Sequence, residues 1–281
     1  MELITTVTAM VALQAQAPRP LGLVPTMGFL HDGHISLVRR ARQENSTVVT
    51  SIFVNPTQFG PQEDLANYPR STERDLEALE KEGVDIVFMP STGEMYPAGF
   101  ETHVDPGDIA IPLEGEARPG HLIGVATIVT KLFTITRPNH AYFGQKDGQQ
   151  ARVIQHINTD LNLGVTVVIC PTVRESDGLA MSSRNSYLNN AERKSATILY
   201  RALLHAKELF NQGERDTSNI RMAMINLIEA EPTAYIDYVS IANLETLREI
   251  KRIDQTTMIS LAVRIGEARL IDNLIISEMT E

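Results

Sequence analysis

Short apolar runs closed by polar turn residues recur through the first 170 residues, and longer stretches of helical period lie between them. Leu21–Val24, Thr47–Val54, Val84–Met89, His140–Phe143 and Val165–Ile169 read as strands. Runs this apolar suit strands buried on both faces, the condition met in a parallel sheet covered by helices. Between them, Ile35–Arg42 places Ile35, Val38 and Ala41 on one helical face. Thr72–Glu82 opens with the spacing of a capping box (Thr72, Asp75) and stops at Gly83. His121–Thr136 and Asp147–Thr159 read as two further helices. Crossovers of this length return to the sheet in a right-handed sense, which predicts an α/β, doubly wound, Rossmann-like domain.

Beyond about residue 175 the pattern changes. A loop, Arg174–Asn185, leads to one long amphipathic helix from about Asn190 to Asn211. Tyr235–Ile241 and Met258–Ile265 then alternate as antiparallel strands do, which predicts a second, smaller α+β domain. No repeat or low-complexity linker separates the two, so the boundary is soft. The expected division is 1–178 for a nucleotide-binding domain and 179–281 for a domain able to act as a lid.

Composition narrows the function classes. A formal charge of −10 argues against duplex DNA or an anionic membrane as main partner, since both select a basic surface. A small anion is still admissible, because a pocket need not follow the net charge. Indeed, segments 27–34, 144–152 and 173–184 are each close to neutral, and the deficit lies elsewhere. Cys170 is the only cysteine, which excludes an intramolecular disulfide, a CxxC pair and a four-cysteine zinc site; it ends an apolar run and reads as a small core residue. There is no run of 18 apolar residues and no basic residue before Arg19, so neither a membrane span nor a signal peptide is expected, and the location implied is the cytoplasm.

In an open parallel sheet, ligands bind beyond the carboxyl ends of the strands. The segments there are polar. After the first strand comes Pro25-Thr26-Met27-Gly28-Phe29-Leu30-His31-Asp32-Gly33-His34, leading into a helix. Gly28 permits a tight turn, Gly33 lets a ligand approach the backbone, and the helix N-terminus offers N–H groups to an anion. His31 and His34, three apart, share a face of the first turn and can point at one phosphate; a capping role and a metal pair are the alternatives. Gly28 and Gly33 have the spacing of a P-loop, but His34-Ile35 stands where Lys and Ser/Thr are required, and no GxGxxG follows any strand.

The second strand runs into Asn55-Pro56-Thr57-Gln58, where Asn55 and Gln58 can orient hydroxyls or a carboxylate without adding charge; turn chemistry is the alternative. The fourth runs into Gly144-Gln145-Lys146-Asp147-Gly148-Gln149-Gln150. Here Lys146 can reach a phosphate, Asp147 suits an N-cap or a ribose hydroxyl, and Gln150 lies one turn into the helix. After the fifth strand, Val173 to Asn185 carries Ser182, Ser183 and Arg184 in a glycine-containing loop, a composition suited to clamping phosphate.

The HDGH segment resembles the HxGH signature of the nucleotidyltransferase superfamily, and Met181-Ser182-Ser183-Arg184 resembles the mobile KMSKS-like loop that accompanies it. Within that superfamily, PTMGxLHDGH, FVNPxQF, Tyr68-Pro69-Arg70, EGxxRPGH at Glu114–His121, AYFGxKDxQQ and VRExDGLAMSSRNxYL are similar to the pantoate–β-alanine ligase family. The likeness runs in order from about residue 20 to 190, and more loosely through SLAVxxGxARLIDN near the C-terminus. Gln145, Gly148 and Leu122-Ile123 depart from the family's usual residues.

The resemblance implies a reaction in which ATP and pantoate form pantoyl-adenylate and pyrophosphate, and β-alanine then displaces AMP. It implies an ATP site of Met27, Gly28, Phe29, Leu30, His31, Asp32, Gly33, His34, Gly144, Gln145, Lys146, Asp147, Val173, Met181, Ser182, Ser183 and Arg184. Within that set His34, Lys146 and Arg184 would be catalytic. Gln58 and Gln150 would hold pantoate, with Gln58 also near β-alanine. Mg2+ would accompany ATP, with no protein ligand to a metal named, and the protein would be a homodimer. Other readings are an adenylyltransferase of the same superfamily or a non-catalytic nucleotide-sensing module. A class I aminoacyl-tRNA synthetase is disfavoured for want of a basic extension.

Overall fold

The computed structural model of the chain, which describes residues 1–61 and 63–277, opens with a short strand, β1 (Glu2–Ile4), and a helix, α1 (Val7–Gln14). Then follow β2 (Leu21–Thr26), α2 (Asp32–Glu44), β3 (Thr47–Ile52), α3 (Thr72–Lys81) and β4 (Ile86–Phe88). After the short helices α4 (Thr92–Met95) and α5 (Glu114–Ala117) come α6 (His121–Thr136), β5 (His140–Gly144), α7 (Gly148–Asp160) and β6 (Thr166–Cys170). The six strands form one parallel sheet in the order β1-β4-β3-β2-β5-β6. The chain winds outward from β2 through β3 and β4, then returns to start again at β5. The strand order therefore reverses between β2 and β5, and the crevice beyond their carboxyl ends is where such sheets take ligands.

Strand alternation explains why both faces are covered. Leu21 and Leu23 of β2 pack with Val125, Val129, Leu132 and Phe133 of α6. Val24 points the other way, into a cluster with Val38 and Ala41 of α2, Leu79 of α3 and Cys170. β3 is buried at every position, Thr50 and Ser51 included, as a central strand must be. Cys170 is the core residue expected, and burial raises its thiol pKa.

The rest of the chain is helical and then antiparallel. α8 (Asn190–Ser195), α9 (Ile198–Asn211) and α10 (Thr217–Glu229) precede β7 (Ala234–Asn243), β8 (Thr257–Ile265) and β9 (Ala268–Ile276), a sheet in the order β7-β8-β9. Ile259, Leu261 and Val263 of β8 face Leu199, Leu203 and Ala206 of α9 and Ile220 and Met224 of α10.

By packing, the molecule has two units. The first is Met1–Gly144 with Gln150–Pro171; the second is Gln145–Gln149 with the chain from Thr172 onward. The short segment at the junction of β5 and α7 thus belongs with the three-stranded sheet.

Four expectations need amendment. The single helix over 190–211 is two, broken at Ala196-Thr197. β9, unread from the sequence, completes the antiparallel sheet. β1 and α1 add to the first unit. At α3 the N-cap is Ser71, with no side-chain capping bond, and Asp75 is not a capping-box partner of Thr72.

Candidate functional site

Beyond β2 the backbone turns sharply at Met27–Leu30. Gly28 has φ of +82° and Phe29 of +50°. A left-handed conformation at a phenylalanine costs about 1–2 kcal/mol and needs an outside restraint. Asp75 supplies it: its buried carboxylate accepts the backbone N–H groups of Phe29 at 2.7 Å and Leu30 at 2.8 Å. A side chain at Gly28 would also approach this carboxylate to 3.1 Å. Leu30 itself turns into the core, so only its backbone lies in the candidate site.

The turn delivers His31 to the N-cap of α2. Its Nδ1 accepts the N–H of Gly33 at 3.1 Å, and Nδ1 of His34 accepts the N–H of His31 at 3.4 Å, a reciprocal cap made by two imidazoles. The rings lie 4.1 Å apart, centroid to centroid. Capping and ligand binding, alternatives in the sequence, are here compatible. With Nδ1 committed as acceptor, the neutral rings carry their protons on Nε2, at a helix N-terminus that itself favours an anion.

Beyond β3, Pro56–Gln58 forms a single 3-10 turn capped by Asn55. The Asn55 amide is fully used. Its Oδ1 accepts from Tyr96 at 2.7 Å and from Thr57, and its Nδ2 donates to the Gly124 carbonyl at 3.1 Å and to Oε1 of Gln58 at 3.0 Å. That last bond fixes the Gln58 side chain and leaves its Nε2 directed at the Met27 sulfur, 3.1 Å away. A thioether is a weak acceptor, so a carboxylate or hydroxyl can take its place at small cost.

The Gln58 backbone is held as firmly. Its carbonyl accepts from Nδ1 of His121 at 2.8 Å, while Nε2 of His121 faces Nη1 of Arg118 at 3.0 Å. Arg118 can only donate, so His121 is neutral with its proton on Nδ1. Burial, then the adjacent guanidinium, lowers the His121 pKa to about 4. Arg118 is itself paired with Glu63 at 2.6 Å and Glu114 at 3.5 Å. α6 reaches the turn because Gly124 has no side chain; a Cβ there would stand 2.3 Å from the Thr57 carbonyl oxygen. Gln150, near the start of α7, is half-buried, and Gly144 ends β5.

In the second unit, Gln145–Asp147 makes a 3-10 turn held by the last strand. Nδ2 of Asn273 donates to the carbonyls of Gln145 and Lys146, both at 2.8 Å, and Nε2 of Gln145 donates to Oδ1 of Asn273 at 2.7 Å. The Lys146 ammonium touches Asp147 only loosely, at 3.5 Å.

The loop after Thr172 closes as a tight hairpin in which Arg174 bridges to Ala180 and the Met181 N–H donates to the Val173 carbonyl at 3.0 Å. Arg174 forks onto buried Asp272 at 2.5 and 2.9 Å and lies 3.9 Å from the Tyr200 ring centroid. Arg193 pairs with Glu175 at 2.6 Å and Asp177 at 2.7 Å. Ser182 then caps a turn, Ser183–Tyr187, its Oγ accepting the Arg184 N–H at 3.3 Å; Ser183 is buried.

The candidate residues are thus distributed by unit. Met27 to His34, Gln58, Gly144 and Gln150 lie in the first, with the 27–34 segment and Gln58 joined through Met27. Gln145, Lys146, Asp147, Val173 and Met181 to Arg184 lie in the second. Asp75, Asn55, Tyr96, Arg118, His121, Asp272 and Asn273 support them. Arg118, His121 and Asn273 were visible only as letters within motifs, with no role attached. Among the described residues, no group of three or more His, Cys, Asp and Glu is arranged to hold a metal.

A model of the pantoate-beta-alanine ligase family matches residues 2–275. The pantothenate synthetase of Roseiflexus castenholzii is 58% identical over 98% of this chain and 99% of its own, and that of Herpetosiphon aurantiacus is 54% identical over 98% and 100%. The crystal structure of the Thermus thermophilus pantothenate synthetase superposes with a TM-score of 0.93 at 47% identity, covering 98% of this chain and 99% of that one. A pantoate-beta-alanine ligase from Francisella tularensis, solved in complex with beta-gamma ATP and beta-alanine, gives 0.80 at 34% identity over 98% and 97%.

Proposed function

The chain belongs to the pantoate-beta-alanine ligase family, and on that footing we propose that it joins pantoate to β-alanine with ATP in two steps. In the first, the pantoate carboxylate attacks the α-phosphorus of ATP, forming pantoyl-adenylate and releasing pyrophosphate. In the second, the β-alanine amine attacks the acyl carbon, AMP leaves, and pantothenate forms. A carboxylate is already ionised at pH 7, so adenylation needs no strong base; it needs alignment and neutralisation of the charge that builds on the phosphate.

The observation that carries this reading is the reciprocal cap of His31 and His34 at the N-terminus of α2, directly after β2, one of the two strands between which the sheet's order reverses. In the proposed assignment Met27 to His34, Gly144 to Asp147, Val173 and Met181 to Arg184 bind ATP. His34, Lys146 and Arg184 stabilise the transition state, with Ser182 and Ser183 as further donors. Gln58 and Gln150 bind pantoate. Glutamines can do this without the ion pair that would blunt the nucleophile, and the Gln58 amide is held ready by Asn55. Mg2+ bound to the ATP phosphates would neutralise charge on pyrophosphate. No protein ligand to the ion is assigned, and no step of the assignment runs through it.

Pantoate-dependent exchange of labelled pyrophosphate into ATP tests the first step, and AMP release that begins only on adding β-alanine tests the second. Exchange that ignores pantoate, or a dinucleotide product, overturns the reading. The proposal includes a homodimer in the cytoplasm, which sedimentation and cell fractionation check; no helix among the described residues is long and apolar enough to cross a membrane.

A further inference from the structure

β9 carries two adjacent polar residues, Asp272 and Asn273, both buried, in a strand that is otherwise mostly apolar. Alternation sends them to opposite faces of the sheet. Asp272 lies on the helix-covered side, where it takes the fork of Arg174. Asn273 lies on the other side, against Gln145–Gln149, where a side chain on Gly148 would come within 3.0 Å of it.

Burying an amide is unfavourable by about 1–3 kcal/mol unless its groups are paired. At Asn273 they are, and every partner belongs to the turn that carries Lys146: both Nδ2 hydrogens go to successive carbonyls, of Gln145 and Lys146, and Oδ1 accepts the Gln145 side chain. Two carbonyls one residue apart, held by one NH2 group, fix the plane of the peptide group on either side of the Lys146 Cα and with it the direction in which the Lys146 side chain leaves the backbone. Among the described residues the ammonium has no firm partner of its own, only Asp147 at 3.5 Å. Its aim is set from the backbone end. A core residue such as leucine would fill the same space without specifying that plane.

We propose that Asn273 is a positioning residue for the reaction, acting through the backbone of Lys146 to direct its ammonium at the phosphates of ATP. This rests on the role given to Lys146 above. Because Lys146 is assigned to ATP and not to pantoate, misplacing its charge by an ångström lowers the rate by up to about 10²-fold without weakening pantoate.

The test uses Asn273→Ala, Asn273→Ser, Lys146→Ala and the double variant Asn273→Ala/Lys146→Ala in the full chain, each followed by pantoate-dependent pyrophosphate exchange and thermal melting. Asn273→Ala is expected to lower the maximal exchange rate about 10-fold with the KM for pantoate within about twofold. Asn273→Ser, which keeps a shorter donor and also serves if the alanine variant does not fold, is expected to fall between it and the parent. The double variant is expected to be no slower than Lys146→Ala, because a misaimed lysine has no further effect once the lysine is gone. Losses that multiply in the double variant, a fall that appears in KM alone, or full activity in a folded Asn273 variant overturns the proposal. A Lys146→Ala enzyme as fast as the parent overturns the role of Lys146 instead, which separates the two failures.

Discussion

The carboxylate of Asp75 lies 2.7 Å from the backbone nitrogen of Phe29, a contact that restrains a non-glycine residue in a left-handed turn beside the candidate residues His31 and His34. Its second oxygen holds Leu30 at 2.8 Å. Replacement by alanine strands two N–H groups near the core and releases a strained turn. We expect Asp75→Ala to lower stability by about 2–6 kcal/mol, given about 1–3 kcal/mol for each orphaned donor, and to slow adenylation because His31 follows Phe29 by two residues. Urea titration and pyrophosphate exchange measure the two effects; an enzyme unchanged in both would show that α2 alone sets the loop.

His34 caps α2 and, in the proposed assignment, donates to the phosphate. Removing one oriented donor to a developing charge costs about 10²–10³ in rate. His34→Ala should therefore slow exchange at least about 10²-fold while the fold, read by circular dichroism, persists. Near-parental turnover would reassign the donor.

His121 makes stability depend on acid. Its pKa is depressed to about 4 in the fold from 6.5 when exposed, so between those values the unfolded chain binds a proton that the folded chain refuses. Its contribution is intact above pH 6.5 and is lost as pH falls towards 4, by up to about 3 kcal/mol, since each tenfold change in proton affinity is worth about 1.36 kcal/mol. In His121→Gln, unfolding free energy should fall less steeply across this window. A slope equal to the parent's would place the proton elsewhere.

Gly124 allows α6 to touch the Pro56–Gln58 turn. In Gly124→Ala the new methyl meets backbone, the Thr57 carbonyl at 2.3 Å and the Gln58 nitrogen at 2.7 Å, and backbone cannot swing aside as a side chain can. We expect about 1–3 kcal/mol of destabilisation, the usual range for overpacking, together with a raised KM for pantoate as Gln58 moves. An unchanged KM would argue that Gln58 does not hold that substrate.

Arg174, partly buried, pairs with fully buried Asp272, and removal of one half of the pair is worse than removal of both. Burial raises the Asp272 carboxyl and the facing guanidinium opposes that rise. Asp272→Ala should cost about 3–5 kcal/mol, and Arg174→Met/Asp272→Leu should recover much of it. Equal losses in both variants, by denaturant unfolding, would mean that the hairpin needs the charges themselves.

The sequence displayed the central strands of the first unit's sheet because β2 and β3 are buried on both faces and so are mostly apolar. It concealed β1, whose Glu2 and Leu3 are exposed, and β9, whose pattern is interrupted at Asp272-Asn273 by side chains serving loops far away in the chain. The break at Ala196-Thr197 has no glycine or proline to announce it. In the candidate site, residues that follow strands were legible from strand ends alone. Asp75 was not: its partners lie 45 and 46 residues earlier, and its local spacing imitates a helix cap. His121 escaped for the same reason, whereas Asn55 was legible with two alternatives, a ligand group or turn chemistry, and it caps the turn. Neutral side chains that hold other side chains leave no periodic or charge signal, and their use is fixed only when distant elements meet.

The tie between Asn273 and Lys146 spans 127 residues. A ribosome delivers the chain in order, so the lysine turn is made early and waits for nearly the whole of the remaining chain before its anchoring amide exists. The parallel sheet can assemble first, as amino-terminal regions do during synthesis. A nascent or prematurely terminated chain then has the six strands but not the strand that fixes Lys146. On the role proposed for Asn273, such a chain carries its lysine turn without the amide that orients it, and adenylation reaches full speed only when the last strand has been added.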